Sequence, residues 1–447
     1  MPPADTGASV VIARSDASTA SSLQLSRASR ASRESDSASA SADTRLVPGG
    51  PGYRRMSFAL FAAGVATFAL LYSTQALLPA ISGGLGVTAD QASWTVSAAT
   101  GGLALAVVPL SALSERYGRR ATMTAALCVA ALLGLMVPFA PDLGWLIALR
   151  AVQGAALAGV PASAMAYLAE EVRPKALIGA IGLFVAGNAI GGMVGRILAG
   201  WVAQAWGWRA GLCAVGALAV VCALVFRLMI PKARHFTPST VSASSLARTL
   251  RTHLTDPLLC RLYAIGALFM TVFGAVYTVI GYRLAEAPFS LPQGVVGSIF
   301  LIYLVGTASS AAAGKLVGRM GRRGALYLAV GTTAVGLLLT VTSSLTAILA
   351  GLVLITAGFF AGHAVASSSV SRAATTGRAQ ASALYQFAYY AGSSVGGTLG
   401  ALAFRAAGWD GTVVLGLLAL VAAASITLYA THRAAVQRRL LIAAARR

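Results

Sequence analysis

The feature that most constrains this chain is the recurrence of apolar runs long enough to cross a bilayer. About 20 consecutive apolar residues span the hydrocarbon core as a helix. Twelve such runs can be read, at residues 56–78, 92–113, 122–140, 144–168, 176–200 and 211–230, then at 258–282, 293–317, 324–343, 346–369, 380–404 and 411–430. A large soluble helical protein would need polar outer faces on its surface helices, and these runs have almost none. Only 11% of the 447 residues are charged, against roughly 25% in soluble domains, and the mean hydropathy is +0.76. The expected fold class is an all-α membrane protein with twelve transmembrane helices.

A net charge of +21 would suit a nucleic-acid partner, but the placement of the charges argues against one. Basic residues fall in every second gap: Arg54 and Arg55; Arg116, Arg119 and Arg120; Arg173 and Lys175; Lys232, Arg234, Arg248 and Arg251; Lys315, Arg319, Arg322 and Arg323; Arg372 and Arg378; and the tail from Arg433 to Arg447. The intervening gaps hold Asp90, Asp142, Arg209, Arg283 with Glu286, and Arg405 with Asp410. That asymmetry is the positive-inside pattern, and it predicts both termini in the cytoplasm. Cys128, Cys213, Cys222 and Cys260 sit singly in or beside apolar runs, so neither a disulfide framework nor a metal site is expected.

The chain is internally duplicated. Ser111-Ala-Leu-Ser-Glu115-Arg116-Tyr-Gly118-Arg119-Arg120 returns as Gly314-Lys-Leu-Val-Gly-Arg319-Met-Gly321-Arg322-Arg323, each between the second and third run of its set of six. A second pair matches Gly187-Asn-Ala-Ile-Gly191-Gly192-Met-Val-Gly195 with Gly392-Ser-Ser-Val-Gly396-Gly397-Thr-Leu-Gly400. Such long-period similarity marks duplicated halves, as in many transporters. Glycines four apart lie on one helix face and let another helix approach backbone to backbone. The expected organisation is a disordered tail over residues 1–52, a six-helix bundle over 53–230, a polar linker over 231–256, a second bundle over 257–431 and a basic tail over 432–447. The first segment is rich in Ser, Ala, Asp and Arg, too polar to bury a core. A transit peptide is an alternative that its acidic residues disfavour, and an overlong start is another, since Met56 opens the first run.

Over residues 55–431 the chain resembles the major facilitator superfamily. The turn 111–120 is similar to that family's loop motif Gly-x-Leu-Ala-Asp-Arg-x-Gly-Arg-Lys/Arg, with Ser111 for the Gly, Ser114 for the Ala and Glu115 for the Asp. Arg150-Ala-Val-Gln153-Gly154 resembles the fourth-helix motif Arg-x-x-Gln-Gly. The stretch Gly187 to Gly192 is similar to the fifth-helix motif Gly-Pro-x-x-Gly-Gly, with Asn188 where the Pro usually sits. Within the family the resemblance is nearest to the drug and sugar efflux branch of arabinose-efflux type. It implies two pseudo-symmetric halves rocking about a central site, with Glu115 against the start of the eleventh helix as part of a cytoplasmic gate. A plain topology signal is the alternative for this turn. The second copy has Gly318 where the acid would be, which predicts an asymmetric gate.

Ionisable groups inside spans are functional candidates by default. No Asp or Glu lies in the middle of any span, although efflux antiporters of the resembled family commonly carry one in the first half. Arg150 is either a brace on backbone carbonyls and Gln153 or a coupling residue, the part the motif implies. Arg196 is either an interfacial anchor or an anion contact. His363 is either a packing residue or the group that titrates near neutral pH, with Tyr385, Tyr389 and Tyr390 at a similar depth. Tyr72 and Gln75 share one face of the first run, and Asn188 and Tyr277 complete the set. Such a cavity fits a neutral or anionic solute better than a hydrophobic cation.

The function expected is proton-coupled efflux of a small organic solute by alternating access, using the proton gradient and no bound cofactor. Uptake or uniport, and a non-transporting sensor of the same fold, are the alternatives. The persistence of Glu115, Arg119 and Arg150 disfavours the sensor. No nucleotide-binding loop or catalytic Ser/His/Asp set is visible, so an enzyme is not expected. The expected partners are the lipid bilayer and a small-molecule substrate, in a monomer at a bacterial inner membrane.

Overall fold

A computed structural model of the protein describes residues 45–238 and 243–445. Helix α1 (Pro51–Leu71) stops at a turn over Tyr72–Thr74, and the chain resumes as a 3-10 turn (Gln75–Leu77) and α2 (Leu78–Leu85). These pieces form the first crossing. Helices α3 (Ala89–Tyr117) and α4 (Arg119–Met136) form the second and third, and α5 (Leu143–Leu157) with α6 (Pro161–Glu171) the fourth. Helix α7 (Pro174–Met229) is two crossings joined at Gly207, where φ of 82° interrupts the helix. A linker helix, α8 (Ala243–Thr255), precedes α9 (Pro257–Ala285). Next, α10 (Gln293–Ser298), a 3-10 turn and α11 (Tyr303–Leu339) make two crossings parted at Gly321. Helix α12 (Leu345–Ala373) is the tenth crossing, and α13 (Arg378–Ala445) holds two more, parted at Ala407 and Gly408. Among the described residues nine helical stretches are long and apolar enough to cross a membrane, and three of them contain such a break, giving twelve crossings.

The ends of these helices follow local chemistry. Prolines open α1, α6, α7 and α9, where a missing N–H costs nothing. Asp142 caps α5 by accepting from the Trp145 amide at 2.9 Å. Asp256 caps α9 through the Leu258 and Leu259 amides. The two basic turns are tighter than a two- or three-residue turn. Each is a single glycine, Gly118 at φ 98° and Gly321 at φ 73°, a backbone conformation that side chains disfavour.

The duplicated glycines form duplicated seams. A Cβ at Gly187 would stand 2.5 Å from the Phe61 carbonyl oxygen, and one at Gly195 2.7 Å from Ala69 Cα, so α7 presses directly on α1. A Cβ at Gly396 or Gly400 would stand 2.5 Å from Thr271 Cα or Ala275 Cα, so α13 presses on α9 in the same way. Gly392 meets the backbone of Ala267, completing the four-residue spacing. Gly154 brings α5 onto α3 at Ala99.

Hydrogen bonds and an ion pair join the first and last six crossings on the face opposite the basic turns and at mid-depth. Ser82 and Tyr282 share a hydrogen bond at 2.6 Å, Arg405 meets Asp90 at 3.2 Å, and Gln293 donates to the Ala76 carbonyl. At mid-depth the Ser97 hydroxyl donates to the Ser394 carbonyl, and that of Ser394 to the Ser97 carbonyl, both at 2.9 Å.

Three features depart from the expectation. The linker contains the amphipathic helix α8, its Leu246 and Leu250 packed beside α3 and α13. The first crossing is broken at Tyr72 rather than continuous to 78. The helix of the last crossing continues to Ala445, into the stretch 432–447 expected as a basic tail. Of the N-terminal stretch 1–52 predicted to be disordered, residues 1–44 lie outside the described residues, while Pro51 and Gly52 already belong to α1.

Candidate functional site

The broken first crossing creates two arginine environments. At its break, the last carbonyls of α1 lack their regular helical donors; the Ser73 amide reaches Leu70 at 3.2 Å, and Arg150 supplies further donors. Its Nη1 donates to the Leu70 carbonyl at 2.7 Å and its Nε to that of Thr95 at 3.2 Å. Its Nη2 donates to Leu71 and its Nη1 to Gln153 Oε1. Gln153 in turn donates to the Ala130 carbonyl at 3.0 Å. A cation beside a helix C-terminus is also favoured electrostatically. Arg150 is fully buried, and all the bonds described for it brace the first six crossings. Among the described residues its hydrogen bonds reach only the first six crossings, so the brace is the geometry observed.

Arg196 is placed differently. It is 2% exposed, enclosed by the protein's own side chains. Its Nε and Nη2 donate to Gln75 Oε1 at 2.9 and 2.6 Å, and its Nη1 donates to the Gly192 carbonyl at 2.5 Å. The guanidinium carbon lies 4.5 Å from the ring centres of Tyr72 and Phe300 and 5.1 Å from that of Tyr303. Tyr72 and Gln75 belong to the first crossing, Phe300 and Tyr303 to the eighth, so this cage spans both halves. Each desolvated cation–π contact contributes roughly 0.5–2 kcal/mol, against about 2.5–3.5 kcal/mol for an arginine at mid-membrane on insertion scales. Hydrogen bonds and rings together can therefore hold the charge without an acid. Gly192 faces this cage rather than the seam: a Cβ there would lie 3.2 Å from Arg196 Nη1.

From the cage an aromatic wall leads into the last six crossings. Phe273 lies 5.3 Å from Tyr303 and stacks on Phe359 at 3.9 Å, and Phe359 stacks against His363 at 6.1 Å. His363 also faces Tyr389 at 4.6 Å, and its Nδ1 is 2.9 Å from the Tyr385 hydroxyl. Tyr277 bonds Thr356 at 2.6 Å and packs against Phe300 and Tyr303. Tyr72, Gln75, Arg196, Tyr277, His363, Tyr385 and Tyr389 thus belong to one connected region. Asn188 does not, since it lies in the α1–α7 seam against Gly64. Gly397 turns toward Ser97 and Thr278 at the contact between halves.

The first basic turn is held to the end of α6 by an ion pair. Arg119 Nε pairs with Glu170 Oε1 at 3.0 Å and its Nη1 donates to Ser114 at 3.1 Å. Ser111 and Glu115 line a narrow groove with Leu246, Leu250 and Gln380, at the start of α13. Arg116 is exposed, and Arg120 half-buried. In the second copy a Cβ at Gly314, Gly318 or Gly321 would meet nothing, Arg319 is exposed, and Arg322 and Arg323 are half-buried.

Several residues of the site do not stand out in the sequence. Glu170 and Glu171 flank the turn, the latter accepting from the Arg234 and His235 amides at 2.7 and 2.8 Å; an acidic pair at a basic-side helix end is the available signal. Phe300 and Tyr303, three apart, and Phe359 with His363, four apart, carry the spacing of one helix face. Ordinary packing shows the same spacing.

Comparison with known proteins places this geometry. The family model "Major Facilitator Superfamily" matches residues 56–396. The chain is 39% identical over 370 residues to the uncharacterized MFS-type transporter YybF of Bacillus subtilis (strain 168), covering 83% of this chain and 92% of that one. It is 39% identical over 375 residues to the inner membrane transport protein YnfM of Escherichia coli (strain K12), covering 84% and 90%. Among solved structures, a bacterial homolog of the human lysosomal transporter Spinster, inward-facing and occupied, superposes with a TM-score of 0.71 at 16% identity, covering 86% of this chain and 98% of that one. The nucleoside transporter NupG follows at 0.69 and 12%, covering 84% and 99%. The chain is a multi-pass membrane transporter belonging to the Major Facilitator Superfamily.

Proposed function

We propose that this protein exports a small organic solute across a bacterial inner membrane in exchange for protons, by alternating access, in the manner of the drug and sugar efflux branch. The observation that carries the reading is the Arg196 cage. It is closed by residues of both halves, so separating the halves uncovers it, and the contacts of Ser82, Asp90 and Gln293 cover the side facing away from the basic turns. With the basic turns toward the cytoplasm, as the positive-inside pattern directs, this arrangement is the one closed to the outside. Glu115 and the Arg119–Glu170 pair then belong to the gate on the inner side. His363, hydrogen-bonded to Tyr385 and in line with the aromatic wall, is the proton carrier in this reading, since an imidazole nitrogen can take up and release a proton.

The test is purified protein in liposomes with an imposed pH gradient and a panel of solutes. Export predicts that an acidic exterior accelerates release of at least one solute and that this release dissipates the gradient. Proton flux that follows no added solute would defeat the antiport reading.

A further inference from the structure

We infer that the central site recognises a small organic anion, a carboxylate carried on an apolar or aromatic body, with Arg196 as its anchor. This deepens the transport reading above and rests on it. A guanidinium has five N–H donors. Gln75 takes one on Nε and one on Nη2, and Gly192 takes one on Nη1. One N–H remains on each terminal nitrogen, two donors available to the oxygens of a carboxylate. The Tyr72 and Phe300 rings, each 4.5 Å from the guanidinium carbon, fix the orientation of that fork.

Charge points the same way. Ion pairs join Arg119 to Glu170, His235 to Glu171 and Arg405 to Asp90. None supplies a carboxylate to Arg196, and no Asp or Glu lies in the middle of a span. The counter-charge for this cation therefore comes from the solute. A cationic solute would meet a fixed like charge.

A second, independent observation lies on the opposite wall. Tyr303 is 7% exposed, its ring is 5.1 Å from the Arg196 guanidinium carbon, and its hydroxyl is buried without a hydrogen-bond partner. Buried polar groups are ordinarily paired, so this hydroxyl is available to a polar atom of the solute. Beyond it, Phe273, Phe359 and Tyr389 supply flat apolar surface for the body, which excludes small hydrophilic anions as the preferred class.

The inference is tested by calorimetric titration of the full-length protein in detergent micelles with benzoate, phenylacetate and octanoate, against benzamide and benzylamine. The carboxylates should bind at least about tenfold more tightly than the amide and the amine, the range expected for charge-assisted hydrogen bonds. Arg196→Gln should abolish that preference. Arg196→Lys should weaken carboxylate binding by about tenfold, because an ammonium keeps the charge but loses the planar fork. Tyr303→Phe, which preserves the cage, should weaken it less and keep the preference. Equal binding of benzoate and benzamide, unchanged preference in Arg196→Gln, or no binding by any of the three carboxylates would overturn the inference. Vesicle flux is not read in this assay. Failed titration beside intact proton-coupled efflux sinks only the anion site, whereas intact titration beside absent flux sinks the transport reading.

Discussion

Arg150 and Arg196 show how one side-chain type serves two ends, decided by what surrounds it. Arg150 adds donors at the Leu70 and Leu71 carbonyls, and Leu70 also accepts from the Ser73 amide, so Arg150→Gln leaves the buried Leu71 carbonyl without a donor. Each such group costs about 1–3 kcal/mol, and the variant should unfold in detergent at a clearly lower temperature, by more than Arg196→Gln does. Equal melting shifts would contradict the assignment of Arg150 as a brace. His363 belongs to the opposite category. His363→Gln should preserve folding, as a side chain that can still bond Tyr385, while release of solute from vesicles ceases to accelerate when the exterior is made acidic. Persistent acceleration would exclude His363 as the carrier. Both arginines and the histidine can be picked from the sequence, because charge inside an apolar run stands out. Their roles cannot, because each depends on partners 22 to 121 residues away.

At the scale of the helix, the seams of α7 on α1 and of α13 on α9 are the most demanding fits. Gly191 and Gly396 lie against the backbones of Val65 and Thr271. Gly191→Val or Gly396→Val forces the paired helices apart and should abolish recovery of folded protein in size-exclusion chromatography. Gly192→Ala adds one methyl toward Arg196 instead and should leave folding intact while changing solute binding. If Gly192→Ala behaved like Gly191→Val, the division of this glycine run into a seam side and a site side would be wrong. The repeated spacing makes the seams legible in the amino-acid sequence, since period-four glycines encode a face. The break at Tyr72 and the linker helix α8 are not legible there. The break is held by an arginine on another helix, and α8 has too few apolar residues to register as a run.

For the whole molecule, pattern and structure agree on a duplicated twelve-crossing fold, while the site arises only where the halves meet. The contacts that hold the face opposite the basic turns are mostly neutral hydrogen bonds, with Asp90–Arg405 as the ion pair among them. Arg405 is 61% exposed, so this pair contributes no more than about 1 kcal/mol. Asp90→Asn should therefore bias the resting population by no more than roughly fivefold, read as faster labelling of a cysteine placed at Ser82. A larger change would mean that this latch dominates the closed state. Glu115 acts at the other end, in the groove with Gln380. In the proposed cycle the two faces open alternately. Its most direct test is electron-paramagnetic-resonance distance measurement in nanodiscs, with one spin-label pair across the Ser82–Arg405 face and another across the Ser111–Gln380 face. The account predicts two populations in which one distance lengthens as the other shortens, and a shift toward the inward-open population in Glu115→Gln. Distances that stay fixed, or that lengthen together, would contradict it.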